Sequence, residues 1–301
     1  MKVLLLGKNG QVGWELRRSL ACLFDVVALG HPEIDLADGS SIERCLAAVE
    51  PDVVVNAAAY TAVDRAESEP EASRRINADA VGVMARCMAR KRGVLVHYST
   101  DYVFDGTGSA PWTESDEPRP VNAYGMAKRE GEVAIAASGC RHLIFRTSWV
   151  YASRGRNFVR TILRLAAERD SLRVIADQFG APTSAELLAD GTALALRRLL
   201  SPMASDGDLC GTYHLAARGE TTWHGIACRA VSIATEAGAV LRAAPERIAP
   251  IGTSEYPLPA RRPANSRLCV DLVERRFGIC CPDWRVHFDR TVTEIIRGAD
   301  A

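Results

Sequence analysis

The stretch "LLLGKNGQVGWEL", Leu4 to Leu16, decides the fold. Three leucines run into a turn that carries Gly7, Gly10 and Gly13, and from Gln11 the pattern changes to helical periodicity. Glycine lets the chain reverse tightly and lets another group come close, while the helix that opens there offers unpaired N–H groups and a partial positive charge. A glycine pattern alone is a weak signal. Here it joins a first strand to a first helix, the context a dinucleotide-binding fold requires, so a pyrophosphate is expected over Gly7, Gly10 and Gly13.

Working outward, "DVVAL" (25–29), "DVVVNAA" (52–58), "GVLVHYST" (93–100) and "HLIFRTS" (142–148) read as further strands, apolar on both faces. Segments 11–24, 41–49, 69–91 and 124–138 carry helical periodicity between them. The alternation predicts an α/β fold, a Rossmann-type doubly wound parallel sheet, with a smaller C-terminal substrate-binding lobe. Residues 1–150 are assigned to the NAD(P)-binding Rossmann domain. Residues 151–301 are assigned mainly to the lobe, with some segments returning to the first domain, and "TSAELLADGTALALRRLL" opens a helix at a Thr or Ser cap with Glu186 in its first turn. The Gly-, Pro- and Ser-rich stretch 105–122 is a long loop at the carboxyl end of the fourth strand, where ligands of such sheets lie.

Composition narrows the partners. Acidic and basic residues balance at 37 each over 301 residues, which argues against a broad basic surface for nucleic acid or anionic membrane. The apolar run at the N-terminus stops at Gly7, too short for a signal or a membrane span, so a cytoplasmic protein is expected. Nine scattered cysteines without a CxxC spacing read as reduced thiols.

The chemistry concentrates in two places. "STDYVFDG" (99–106) sets Thr100 at the end of the fourth strand, and "YGMAKREGE" (124–132) sets Tyr124 and Lys128 four residues apart on one helical face. A cation beside a phenol favours the phenolate and makes the hydroxyl a usable acid and base. A hydroxyl, a tyrosine and a lysine in this order after a glycine turn are the trio by which short-chain dehydrogenases move a proton while a cofactor moves a hydride. The spacing G-x-x-G-x-x-G is that of the extended type. "VNAAAYTAVD" (55–64) resembles the adenine and ribose side of that superfamily.

Together with "FRTSWVYA" (145–152), "QFGAPTSAELLAD" (178–190) and "RPANSRL" (262–268), these motifs resemble the dTDP-4-dehydrorhamnose reductase family from the first strand to about Leu268. The resemblance implies reduction of the 4-keto group of dTDP-4-dehydro-L-rhamnose by NADPH or NADH, for bacterial surface polysaccharide. It implies Tyr124 as proton donor, Lys128 as the group that lowers the phenol's pKa and holds the nicotinamide ribose, and Thr100 as a hydrogen bond to the reacting oxygen. Asp101 and Trp149 match sugar-nucleotide contacts. Gly10, Gln11 and Val12 match the phosphate loop, Asp35 and Leu36 the adenine side, and Ala59, Tyr60 and Thr61 the stretch from ribose to nicotinamide. Family members also form homodimers bridged by Mg2+, and Glu15, Glu186 and Glu294 fall where such acids are expected. Arg261, Arg262 and Arg267 are candidates to hold the substrate diphosphate.

One departure bears on the cofactor. The second strand is followed by Gly30 and His31, where NAD-preferring folds place an acid, so NADPH is expected to serve at least as well as NADH, with Lys8 or His31 at its extra phosphate. Two rival functions stay open. A nucleotide-sugar epimerase or dehydratase shares the scaffold, although Tyr102 stands where dehydratases carry a glutamate after the aspartate. A non-catalytic regulatory subunit, of the kind that accompanies a eukaryotic methionine adenosyltransferase, resembles the same family without needing the trio.

Overall fold

Successive residues of a strand face opposite ways, so a strand apolar throughout is stable only when helices cover both sides of its sheet. The structure, a computed structural model, describes residues 1–201 and 209–298. Six strands, β1 (Lys2–Leu6), β2 (Asp25–Leu29), β3 (Val53–Asn56), β4 (Val94–Thr100), β5 (Arg141–Thr147) and β6 (Gly211–His214), form a parallel sheet in the order β6-β5-β4-β3-β1-β2. The helices are α1 (Gln11–Ala21), α2 (Gly39–Val49), α3 (Ala80–Lys91), α4 (Ala123–Ala137), α5 (Phe158–Glu168), α6 (Ala185–Leu199), α7 (Trp223–Glu236), α8 (Asp271–Phe277) and α9 (Trp284–Arg297), with shorter turns between.

Val3 and Leu5 of β1 join Val94 and Val96 of β4 in a core with α1 and α6, while Leu4, Leu6 and Leu95 point the other way against α2, α3 and α4. The chain leaves β1 toward β2 on one edge and returns to build β3 to β6 on the other. This reversal opens a crevice beyond the carboxyl ends of β1 and β3, the place where open α/β sheets bind ligands.

The fold class read from sequence is the one found, with two differences of detail, in segment 69–91 and at 211–214. Segment 69–91 is not one helix: Pro70 starts a new turn, and a π-helical turn at Arg75–Asp79 precedes α3. Ser184 caps α6 by accepting from the Leu187 N–H at 3.0 Å, as the cap signal predicts, and α6 then packs on α1 under the sheet. "GTYH" (211–214), which the sequence places only in the second half, adds β6 to the sheet beside β5. The remainder past Val150 forms its own core around α5, α7 and α9, tied by Leu172–Ile175 pairing in parallel with Ile248–Ile251. None of the nine cysteines is paired. Among the described residues no helix is long and apolar enough to cross a membrane.

Candidate active site

The crevice is a cavity of ≈ 790 Å³ whose wall begins at the glycine turn. Gly7 has φ +88°, and a Cβ there would lie 2.8 Å from the Ala58 nitrogen at the end of β3. A Cβ on Gly13 would lie 2.0 Å from the Gly7 carbonyl oxygen, so glycine is what lets α1 start so close to β1. Gly10 stands at the N-cap of α1 and no acid occupies the first turn, which leaves that end of the helix suited to an anion. Gly7, Gly10, Gln11, Val12, Asp35, Leu36, Ala59, Tyr60, Thr61, Tyr124 and Lys128 all line the cavity, whereas Gly13 lies buried beneath it. A glycine cradle at a helix N-terminus, opening into a cleft of this size, fits a dinucleotide.

Residues that the motifs did not single out hold this wall in place. Asn77, in the π-helical turn, accepts from the Tyr60 N–H at 3.0 Å and donates to the Tyr60 carbonyl at 2.9 Å. Asn157 donates to Gln11 Oε1 at 2.8 Å and so ties the loop before α5 over the glycine turn, bringing Arg156 to the cavity. The reading of the second strand's end needs correction. His31 lines the cavity, but an acid does stand nearby: Glu33 accepts from the Gly30 N–H at 2.8 Å and is ion-paired with Lys8. Spacing alone does not reveal this acid, because it sits three residues past Gly30 and returns through a turn.

At the other end of the cavity, α4 presents Tyr124, Lys128 and Glu132 on three successive turns of one face. Asn122 starts this helix, its side chain accepting from the Gly125 N–H at 2.8 Å. Tyr124 is walled by protein on nearly all sides yet keeps part of its surface open to the cavity. Burial raises its phenol above the ordinary value, Asp101 adds to this, and a hydrogen bond with the Thr100 side chain works the other way. The expected acidification by Lys128 is therefore not found. The amine is turned elsewhere, donating to the Tyr98 carbonyl at 2.5 Å with His97 Nε2 at 3.0 Å, and burial brings it down to about 7. Glu132 grips Arg146 of β5 through two hydrogen bonds of 2.8 and 2.7 Å, both side chains buried.

Thr100 and Asp101 stand just behind the phenol, outside the lining of the cavity itself. Thr100 Oγ1 donates to Asp101 Oδ1 at 3.1 Å, and burial pushes the Asp101 carboxyl up to about 7 against the pull of Ser266 and Thr100. Ser266 belongs to the "RPANSRL" segment, which is laid along the 105–122 loop: Asn265 donates to the Ala110 carbonyl at 2.8 Å and Trp112 donates to the Asn265 carbonyl at 3.1 Å. Trp149 adopts φ +48°, a strained conformation for an aromatic residue, and stacks on Trp223 of α7 with ring centroids 4.0 Å apart. Trp223 gave no signal in sequence because its partner lies 74 residues earlier.

Two groups of predicted residues separate. Among the described residues no three acidic, His or Cys side chains converge as metal ligands. Glu186 and Glu294 both turn to Arg290, and Glu15 pairs with Arg18, so within one chain the three carboxylates do not gather into a cation site. Of the three arginines, Arg262 is held by Asp64 through two contacts of 2.8 Å and Arg267 by Glu220 at 2.8 Å. Arg261 is exposed, with no carboxylate partner among the described residues.

A doubly wound sheet with a glycine turn at one end of its crevice, and a hydroxyl, a phenol and an amine at the other, defines an oxidoreductase of the Rossmann type that uses a nicotinamide nucleotide. A family model described as the RmlD substrate binding domain matches residues 1–297. A dTDP-4-dehydrorhamnose reductase of Burkholderia thailandensis is 51% identical over 296 residues, covering 98% of this chain and 99% of that one. The enzyme of the same name from Escherichia coli K12 is 46% identical and covers 98% of each. Among solved structures, dTDP-4-dehydrorhamnose reductase from Bacillus anthracis in complex with NADP superimposes with a TM-score of 0.86 at 30% identity, over 97% of this chain and 99% of that one. The chain belongs to the dTDP-4-dehydrorhamnose reductase family.

Proposed function

We propose that the chain reduces the 4-keto group of dTDP-4-dehydro-L-rhamnose to give dTDP-L-rhamnose, with NADPH serving at least as well as NADH. The reading rests on one observation: Tyr124, beside Thr100, opens onto the far end of the cavity that begins at the glycine turn. A bound reduced nicotinamide supplies the hydride. The glycine turn and the start of α1 hold the pyrophosphate, and the Asp35 and Leu36 side takes the adenine. Tyr124 gives its proton to the sugar oxygen as negative charge grows there, and Thr100, just behind it, helps to stabilise the phenolate left behind. A phenol raised by burial keeps its proton at neutral pH, which suits a group whose task is to donate. Lys128, at about 7, can hold or release a proton in the same range.

The stacked pair Trp149 and Trp223 offers an apolar face to the deoxysugar or the base, and Arg261, exposed and in no ion pair among the described residues, is the arginine left to take the diphosphate. The lobe past Val150 is thus the sugar-nucleotide side. Tyr102, packed edge-on against Tyr124 at 5.7 Å, occupies the position where elimination of water would need a second acid, which favours simple reduction. Lys8 neutralises Glu33, so the ribose end carries little net negative charge against a 2'-phosphate. Exposed Trp14 on α1 and Leu194 on the adjacent α6 support a homodimer, and we place the enzyme in the cytoplasm. Purified protein mixed with NADPH and the sugar nucleotide should oxidise one cofactor per sugar. No loss of the reduced cofactor's absorbance would overturn the proposal.

A further inference from the structure

A buried line of polar side chains runs from the floor of the crevice to Lys128, and counting its donors and acceptors gives it a direction. Asn56 of β3 and His97 of β4 are partners in the sheet register, and Asn56, His97 and Lys128 are each 1% exposed. Asn56 Oδ1 accepts from the Ala58 N–H at 3.2 Å, which turns the amide nitrogen to His97 Nδ1, also at 3.2 Å. An amide nitrogen only donates, so Nδ1 accepts, and a neutral ring then carries its proton on Nε2. That nitrogen faces Lys128 Nζ at 3.0 Å.

An ammonium would set N–H against N–H. An amine instead accepts from the ring while still donating to the Tyr98 carbonyl. Flipping Asn56 only moves the conflict to the Ala58 N–H, and an imidazolium would set its second N–H against the Asn56 amide. Polar groups this deeply buried are costly when left facing a like partner, so the state with every group satisfied is strongly favoured.

We propose that His97 is a positioning residue: locked by Asn56, it presents an N–H to Lys128 and makes that side chain a proton acceptor rather than a fixed cation. Burial, and then Lys128 itself, keeps His97 well below the usual histidine range, consistent with a neutral ring. The other groups around Lys128 are accounted for. Glu132, a turn further on, favours the charged amine but is bound to Arg146 and Arg129. Tyr124, a turn back, has Asp101 beside it. Arg74, Asp79 and Glu130, where the 70–79 segment packs on α4, pair with one another at the exposed edge. The bearing of this line on turnover rests on the reductase reading, while the line itself does not.

Nitrogen NMR of histidine-labelled protein should find His97 protonated on Nε2 alone. A proton on Nδ1, or on both nitrogens, at neutral pH would overturn the proposal. Asn56→Asp supplies a carboxylate that accepts from Nδ1–H and so reverses the line. It should move the ring proton to Nδ1 and raise the titration of Lys128, followed in carbon-labelled lysine, by more than about one pH unit, or tenfold in proton affinity. His97→Gln, whose amide can accept from Asn56 and donate to Lys128, should keep that titration near the wild-type position. An unmoved titration in Asn56→Asp, or one that moves as far in His97→Gln, refutes the idea. The high-pH limb of kcat should follow Lys128 in Asn56→Asp. Wild-type protein with these NMR signatures and no turnover would count against the reductase reading and leave the line intact.

Discussion

The two ends of the cavity are made of different materials. At the glycine turn the wall is backbone, small side chains and a helix end, and what matters is how close one strand lies to another. At α4 the wall is Tyr124 and Lys128, backed by the buried carboxyls of Glu132 and Asp101 and held by His97, Arg146 and Thr100. The first end is built to receive a cofactor of fixed shape, and the second to move a proton at a chosen atom. Damage should therefore be steric at one end and electrostatic at the other.

The largest effect expected is on turnover. Tyr124→Phe removes the proton donor and should lower kcat by about a hundred to ten thousand fold, while NADPH titrated by fluorescence binds as in wild type. Loss of cofactor binding in that variant would blur the division between the ends. Next comes the buried pair: Glu132→Ala leaves Arg146 uncompensated and should cost roughly 3–5 kcal/mol in urea unfolding. A cost below about 1 kcal/mol, as for a surface pair, would mean that Arg146 finds water there. Gly13→Ala forces a methyl group against the Gly7 carbonyl and should cost roughly 1–3 kcal/mol, with weaker NADPH binding and little change in the pH profile of kcat.

The smallest effect depends on pH. The Asp101 carboxyl, raised to about 7 by burial, favours the folded chain only while protonated, and that contribution is lost as pH rises through about 7. Asp101→Asn stays neutral, so its melting temperature should exceed that of wild type by a few degrees near pH 8, with the gap closing toward pH 4. A gap independent of pH would show that the carboxyl does not titrate in this range.

The same contrast governs what could be read from the residues in order. β1 to β5, the glycine turn and the α4 face carry local periodicities, and a periodicity is visible without knowing what it packs against. Thr100 and Tyr124 are near enough in sequence for their meeting at the end of β4 to be expected. β6 was missed because four residues following a separate lobe give no sign that they return to the sheet. Asn56 and His97 are polar residues inside apolar runs, a signal the sequence carries, whereas Asn77 lies among charged residues and carries none. The acidifying role of Lys128 was not legible for another reason: it depends on which partner is nearest, and the Tyr98 carbonyl that takes the amine belongs to a strand 30 residues earlier.

Transfer of label across the cavity tests the joint between its two ends most directly. The wild-type chain given dTDP-4-dehydro-L-rhamnose and NADPH dideuterated at nicotinamide C4 should yield sugar with one deuterium at C4, matched by one cofactor oxidised. Sugar without deuterium, beside cofactor that is bound but unconsumed, would contradict the account.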